Sequence, residues 1–300
     1  MTGSGTVSDP YIVDSWAEFE SIGINSNSSV YVHFNPDAEN KVIDMNDIYP
    51  EGCPSYNMGS SKIYGNGWEI QNLYLKNPLF YAATYGVING FKFTSFRHET
   101  SSPFLAAQYD SYDRYGCLFE KNIFSGITKS NVFFNKNGGQ TIELYNNSFD
   151  LIISDDVTFR LANGITDEYG NYKKDIAFNN IKIQLTGNSK INSNGLFGEC
   201  YNHNFANNRI NVIANTGCDF PIVQEASGFS GNVILGSNTG VISPLGSGTC
   251  SGVNIYCSDT LNYTGTDSRF KGCTTEQMRN AEYLQSIGFA IGVEWNADIQ

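Results

Sequence analysis

The residues best placed for chemistry are few, and each group has a structural alternative. Asp155-Asp156 is a pair of adjacent carboxylates, and paired acids can serve as general acid and base in glycoside hydrolysis. Adjacent residues of a strand point to opposite faces, so both could act together only across a backbone bend. Arg97-His98-Glu99 holds one of only three histidines and could move a proton. Its position at the start of a loop favours a surface cluster. Glu199-Cys200-Tyr201-Asn202-His203 places a thiol near an imidazole, but no oxyanion-stabilising or orienting motif surrounds it. These readings leave no assigned catalytic residue, with Asp155 and Asp156 as weak candidates.

Tyr109, Asp110, Tyr112, Asp113 and Tyr115 form the candidate binding loop. Tyrosine rings stack on sugar faces, and aspartates accept hydroxyl hydrogen bonds. The same composition suits protein contacts, where Tyr and Arg are enriched, or plain packing of the loop on its support. No phosphate loop, dinucleotide fingerprint, zinc-protease or calcium-loop pattern is present, so no cofactor or metal is expected.

The elements that must carry these residues are set out by a repeated frame, apolar-x-x-Asn-x-apolar. It reads Phe119-x-x-Asn122-x-Phe124, Leu144-x-x-Asn147-x-Phe149, Ile176-x-x-Asn179-x-Ile181, Phe205-x-x-Asn208-x-Ile210 and Phe229-x-x-Asn232-x-Ile234. Looser echoes stand at Asn89 and Asn254. Successive asparagines lie roughly 22 to 33 residues apart, within the period range of solenoid repeats. The frame predicts a tight bend with Asn122, Asn147, Asn179, Asn208 and Asn232 in left-handed geometry, stacked as a ladder of side-chain amides.

Composition agrees with a turn-dense, strand-rich chain. Gly is frequent, and 20 Phe and 18 Tyr supply large rings for burial. The net charge of -12 argues against nucleic acid, which needs clustered Lys and Arg, and against a polyanionic ligand without a bridging cation. Seven cysteines with no CxxC pair point to buried reduced thiols. No signal peptide or apolar run of membrane-spanning length is evident.

The predicted organisation is all-β in three parts. Residues 1–50 form an N-terminal cap with the first strands, including a short helix opened by Ser15-x-x-Glu18 and stopped at Gly23. Residues 51–265 form about eight or nine parallel coils. Predicted strands include Ile70 to Leu75 and Val87 to Phe93, with interruptions at Arg97 to Tyr115 and Ala162 to Lys174. Residues 266–300 form a closing cap, with Thr274 and Gln277 as a capping box ahead of a helix carrying Met278, Ala281, Leu284 and Ile287.

The opening Gly3-Ser4-Gly5-Thr6, Asp9-Pro10-Tyr11-Ile12 and Trp16-x-x-Phe19 resembles the start of right-handed parallel β-helix proteins of the pectate-lyase-like type. These occur in bacteriophage virions and on bacterial surfaces. The Asn-x-Ile/Val steps and the closing Thr275-Glu276-Gln277-Met278, Tyr283-Leu284 and Ile287-Gly288-Phe289 are similar too. The resemblance implies a single-stranded right-handed β-helix with short helical caps. Among the members of that fold, the capped coil with neither signal peptide nor catalytic set points to a non-enzymatic structural or adhesive part of a phage tail, baseplate or fibre. The expected partners are other virion proteins or a host-surface glycan, not nucleic acid or membrane, with a homotrimer left open. The expected location is the virion, made in the host cytoplasm. Alternatives are a polysaccharide-degrading hydrolase or lyase on the same scaffold, and an adhesin at the bacterial cell surface. The Gly-His-Gly and Arg-x-Lys motifs of galacturonase-like hydrolases are missing here.

Overall fold

The computed structural model describes residues 1–82, 86–99, 103–107, 117–135, 142–154, 156–163, 174–214, 222–237, 241–242, 245–263 and 267–290. The fold is all-β with few helices. Its strands pair in parallel within long stacked sheets, a solenoid-like arrangement. The chain visits three sheets in a fixed cycle. Cys117–Glu120 lies in the first sheet, Ile123–Thr128 in the second and Val132–Asn135 in the third; Ile142–Tyr145 returns to the first. Each return pairs the new strand beside the one a circuit earlier, as Cys117–Glu120 pairs with Ile142–Tyr145. Among the described residues the first sheet has 10 strands, the second 11 and the third 6.

Register brings like residues into columns that fill the interior. In the first sheet Ile63, Ile88, Phe119, Leu144, Ile176, Phe205 and Phe229 are successive partners. In the second sheet Phe93, Phe124, Phe149, Ile181, Ile210 and Ile234 follow one another. All of these side chains are buried. Phe124 and Phe149 stack with ring centroids 4.9 Å apart and planes 6° apart; Phe205 and Phe229 do the same at 4.9 Å and 4°. Alternation along each strand puts one face of every sheet into this core.

The bend between the first two sheets differs from the sequence expectation. The left-handed residue is the one before the asparagine: Lys121 (φ 57), Asn146 (φ 54), Phe178 (φ 59), Asn207 (φ 56) and Gly231 (φ 67). Among the ladder asparagines themselves none has positive φ. The sharp reversal is thus made one residue early, which frees each ladder side chain to turn inward.

Two predicted strands are each divided. Asn72 (φ 58) splits 70–75 into Glu69–Gln71 and Tyr74–Leu75. Gly90 (φ 74) splits 87–93 into Gly86–Asn89 and Lys92–His98, which belong to different sheets. Their apolar patterns are continuous because both sides of a bend face the same core. The interruption expected from Arg97 is shorter, because Leu105–Ala107 is a strand of the third sheet.

The sheets begin within the N-terminal region, at Tyr11–Val13, and the second extends to Phe270–Cys273. Helix α1, Trp16–Ser21, starts at Ser15, whose side chain accepts from the Glu18 backbone N–H. Glu18 reaches past the expected partner to accept from the Asp14 backbone N–H at 2.8 Å. A further short helix, α2, spans Met45–Ile48. At the other end the Thr274/Gln277 capping box is formed, but it opens only α3, Thr275–Met278. A second cap, Asn280, starts α4, Ala281–Ser286. The single predicted helix is two, since the Asn280 side chain competes for the backbone between them.

Candidate functional site

The ladder is a continuous run of buried polar contacts through the interior. From Asn147 onward each Asn Oδ1 accepts both the backbone N–H and the side-chain Nδ2–H of the asparagine one circuit earlier. Asn122 donates in this way to Asn147, Asn147 to Asn179, Asn179 to Asn208, and Asn208 to Asn232. The other Nδ2 hydrogen goes to the carbonyl of the preceding circuit's apolar residue, as from Asn179 to Leu144 at 2.9 Å. Both donors and both acceptor sites of each amide from Asn147 to Asn232 are thereby used. Asn254 continues the run, accepting from Asn232 at 2.9 Å through backbone and side chain. Asn89 does not join it: it pairs in register with Glu120, and Phe91 stands in the ladder position, donating its N–H to Asn122 Oδ1 at 3.0 Å.

The proposed catalytic and binding residues are placed unevenly. Asp155 and the loop residues Tyr109, Asp110, Tyr112, Asp113 and Tyr115 lie outside the described residues. Asp156 is exposed with φ 59, and its Oδ1 accepts from the Asn188 backbone N–H at 2.7 Å. It holds the turn of the adjacent circuit. Cys200 and His203 are on the strand Glu199–Ala206, with side chains outside the description.

His98 corrects the surface reading of its cluster. Alternation along Lys92–His98 turns Arg97 outward and His98 inward, fully buried. Its Nδ1 lies 3.4 Å from Thr128 Oγ1, and among the described residues Nε2 has no hydrogen-bond partner. Burial lowers its pKa to about 4. Outside, Arg97 pairs with Glu99 at 2.9 Å and lies 4.7 Å from the Tyr74 ring centroid.

The described cysteines Cys53, Cys117, Cys250, Cys257 and Cys273 are free and buried. Burial pushes the thiols of Cys53 and Cys250 up to about 12, so neither supplies a thiolate nucleophile at neutral pH. Among the described residues no cluster of His, Cys, Asp and Glu could hold a metal ion.

A surface array emerges that sequence reasoning missed. On the outer face of the first sheet His33, Tyr64, Asn89, Glu120 and Tyr145 are consecutive register partners. Four strand spacings make this column about 19 Å long. The His33 and Tyr64 rings stack at 4.5 Å. Asn89 Nδ2 donates to Glu120 Oε2 at 2.7 Å, and Lys121 Nζ lies 3.3 Å from Glu120 Oε1. Phe178, from a bend, sets its ring edge-on to Tyr145 at 5.4 Å. Burial lowers the His33 pKa, leaving the imidazole uncharged at neutral pH. The five column side chains and Phe178 are half-buried, Lys121 is exposed, and none takes part in the core. Rings, an amide and a carboxylate at fixed spacing can contact apolar faces and hydroxyl groups together. In sequence only Glu120 and Tyr145 stand two residues before a ladder asparagine, so the column becomes legible only once the register is known.

No protein-family model, curated protein or solved structure matches this chain.

Proposed function

We propose that this chain is a non-enzymatic structural or adhesive component of a phage particle, a tail, baseplate or fibre protein. In this reading the scaffold is a right-handed single-stranded parallel β-helix of the pectate-lyase-like type, with helical caps. The partners are neighbouring virion proteins or a host-surface glycan, the location is the virion, and homotrimeric assembly is compatible with it.

The observation that carries the reading is the unbroken asparagine ladder beside the stacked core columns. Such a body is stiff along its length, because bending it would break several buried hydrogen bonds at once. A stiff body with ring and polar groups at fixed outer positions suits multivalent contact, since its binding groups are ordered beforehand. The particle assignment itself comes from the terminal motifs.

Mass spectrometry of purified particles tests the location, and competition by the isolated chain in host-cell adsorption tests adhesion. The chain should be found in particles and should reduce adsorption. Release of shortened capsular or wall glycan by the isolated chain would overturn the non-enzymatic reading.

A further inference from the structure

A cavity of about 160 Å³ lies beneath helix α1, lined by Phe19, Glu20, Ile24, Tyr56, Met58 and Ile63, among others. Its volume is close to that of the roughly 150 Å³ cavity size known to admit benzene. Its walls combine aliphatic groups with two aromatic rings, Phe19 and Tyr56, whose centroids are 6.0 Å apart. Glu20 supplies the anion. Its Oε1 accepts hydrogen bonds from the hydroxyls of Tyr49 and Tyr56, the latter at 2.5 Å. Tyr56 is held in turn by the Trp16 indole, whose Nε1–H donates to the Tyr56 hydroxyl at 2.9 Å. Among the described residues Glu20 Oε2 has no hydrogen-bond partner. Gly23 also lines the cavity, and a Cβ built there would meet nothing within 4 Å, so this side is open.

An apolar ligand would fit the volume but leave the carboxylate unused. An anion would meet both Glu20 and the chain's charge of -12. A compact organic cation uses every feature. Its charge faces Glu20, its alkyl groups meet Ile24, Met58 and Ile63, and its cationic surface meets the ring walls through cation–π attraction. We propose that this cavity is a binding site for a small organic ammonium group of about the size of choline, with Glu20 as counter-ion and Phe19 and Tyr56 as ring walls. The site is independent of the particle reading above.

The test uses the full chain, with choline and its uncharged carbon analogue 3,3-dimethyl-1-butanol as probes. Binding is followed through the indole N–H resonance of Trp16 and through thermal midpoints. Choline should bind saturably, and the analogue at least about tenfold more weakly, the change expected when about 1.4 kcal/mol of charge recognition is lost. Glu20→Gln, which keeps an acceptor for both tyrosines, should weaken choline at least as much. Ile24→Trp, which fills the cavity from its rim, should abolish binding in a folded protein. The comparison of the two probes on the unmodified chain needs no variant to fold. Absence of saturable choline binding, equal binding of the analogue, or unchanged binding by folded Glu20→Gln would each overturn the proposal.

Discussion

Asn179 shows how much one side chain can carry in this protein. Its amide takes two hydrogen bonds from Asn147 and gives one each to Leu144 and Asn208. Asn179→Ala would leave several buried polar groups unpaired, each costing about 1–3 kcal/mol. We expect a loss of about 3–5 kcal/mol by denaturant unfolding. A loss under about 1 kcal/mol would refute the role of this amide in holding the circuits together. His98 sets a pH dependence. Its folded-state pKa of about 4 lies below the ordinary value of 6.5, so between these values the unfolded chain binds more protons. Its contribution to stability is therefore complete above about pH 6.5 and is lost as pH falls toward 4. The full span is about 3 kcal/mol. His98→Leu should flatten that part of the stability–pH curve, and an unchanged slope would assign the acid sensitivity elsewhere. Phe178 is the third case. A bulky side chain at φ 59 costs roughly 1–2 kcal/mol, which Asn tolerates better. Phe178→Asn is expected to raise stability by about 1 kcal/mol even though the contact with Tyr145 is lost. If the outer column binds a surface, the same change should weaken attachment.

At the scale of elements, the strand Lys92–His98 is instructive. Its register slips between Phe93 and Phe96, with Ser95 at φ 53, so a bulge lies within it. The neighbouring strand accommodates this with Gly126, where a Cβ would stand 2.4 Å from the Phe96 carbonyl oxygen. Gly126→Ala should therefore cost more than the roughly 0.5 kcal/mol typical of surface changes, measurable by thermal or chemical unfolding. The column through Phe205 gives a complementary expectation. Phe205 stacks on Phe229 and meets Phe197 at 5.0 Å, so Phe205→Ala should cost about 3–5 kcal/mol. A loss under about 1 kcal/mol would contradict its place in the core. The caps follow local rules. Ser15, Thr274 and Asn280 each accept a backbone N–H of the first turn that no residue within the helix can satisfy.

For the whole molecule, the sequence by itself determined the strand-rich class, the repeating circuit, the helix starts at Ser15 and Thr274, and the phase of the asparagine frame. These are local: caps act within three residues, and the frame repeats the same bend in each circuit. The left-handed position before each asparagine was legible only in part, because Asn146, Asn207 and Gly231 are of types that favour it whereas Lys121 and Phe178 are not. What they share is a place in the coil. Tertiary structure alone decided that Asn254 joins the ladder and Asn89 does not, since both echo the motif and only register separates them. It likewise decided that His98 is buried, because a bulge sets which residues of its strand face inward. The outer column of His33, Tyr64, Asn89, Glu120 and Tyr145 belongs to the same class. Its members lie in five different circuits and become neighbours only through parallel pairing, which no span of the chain read alone can specify.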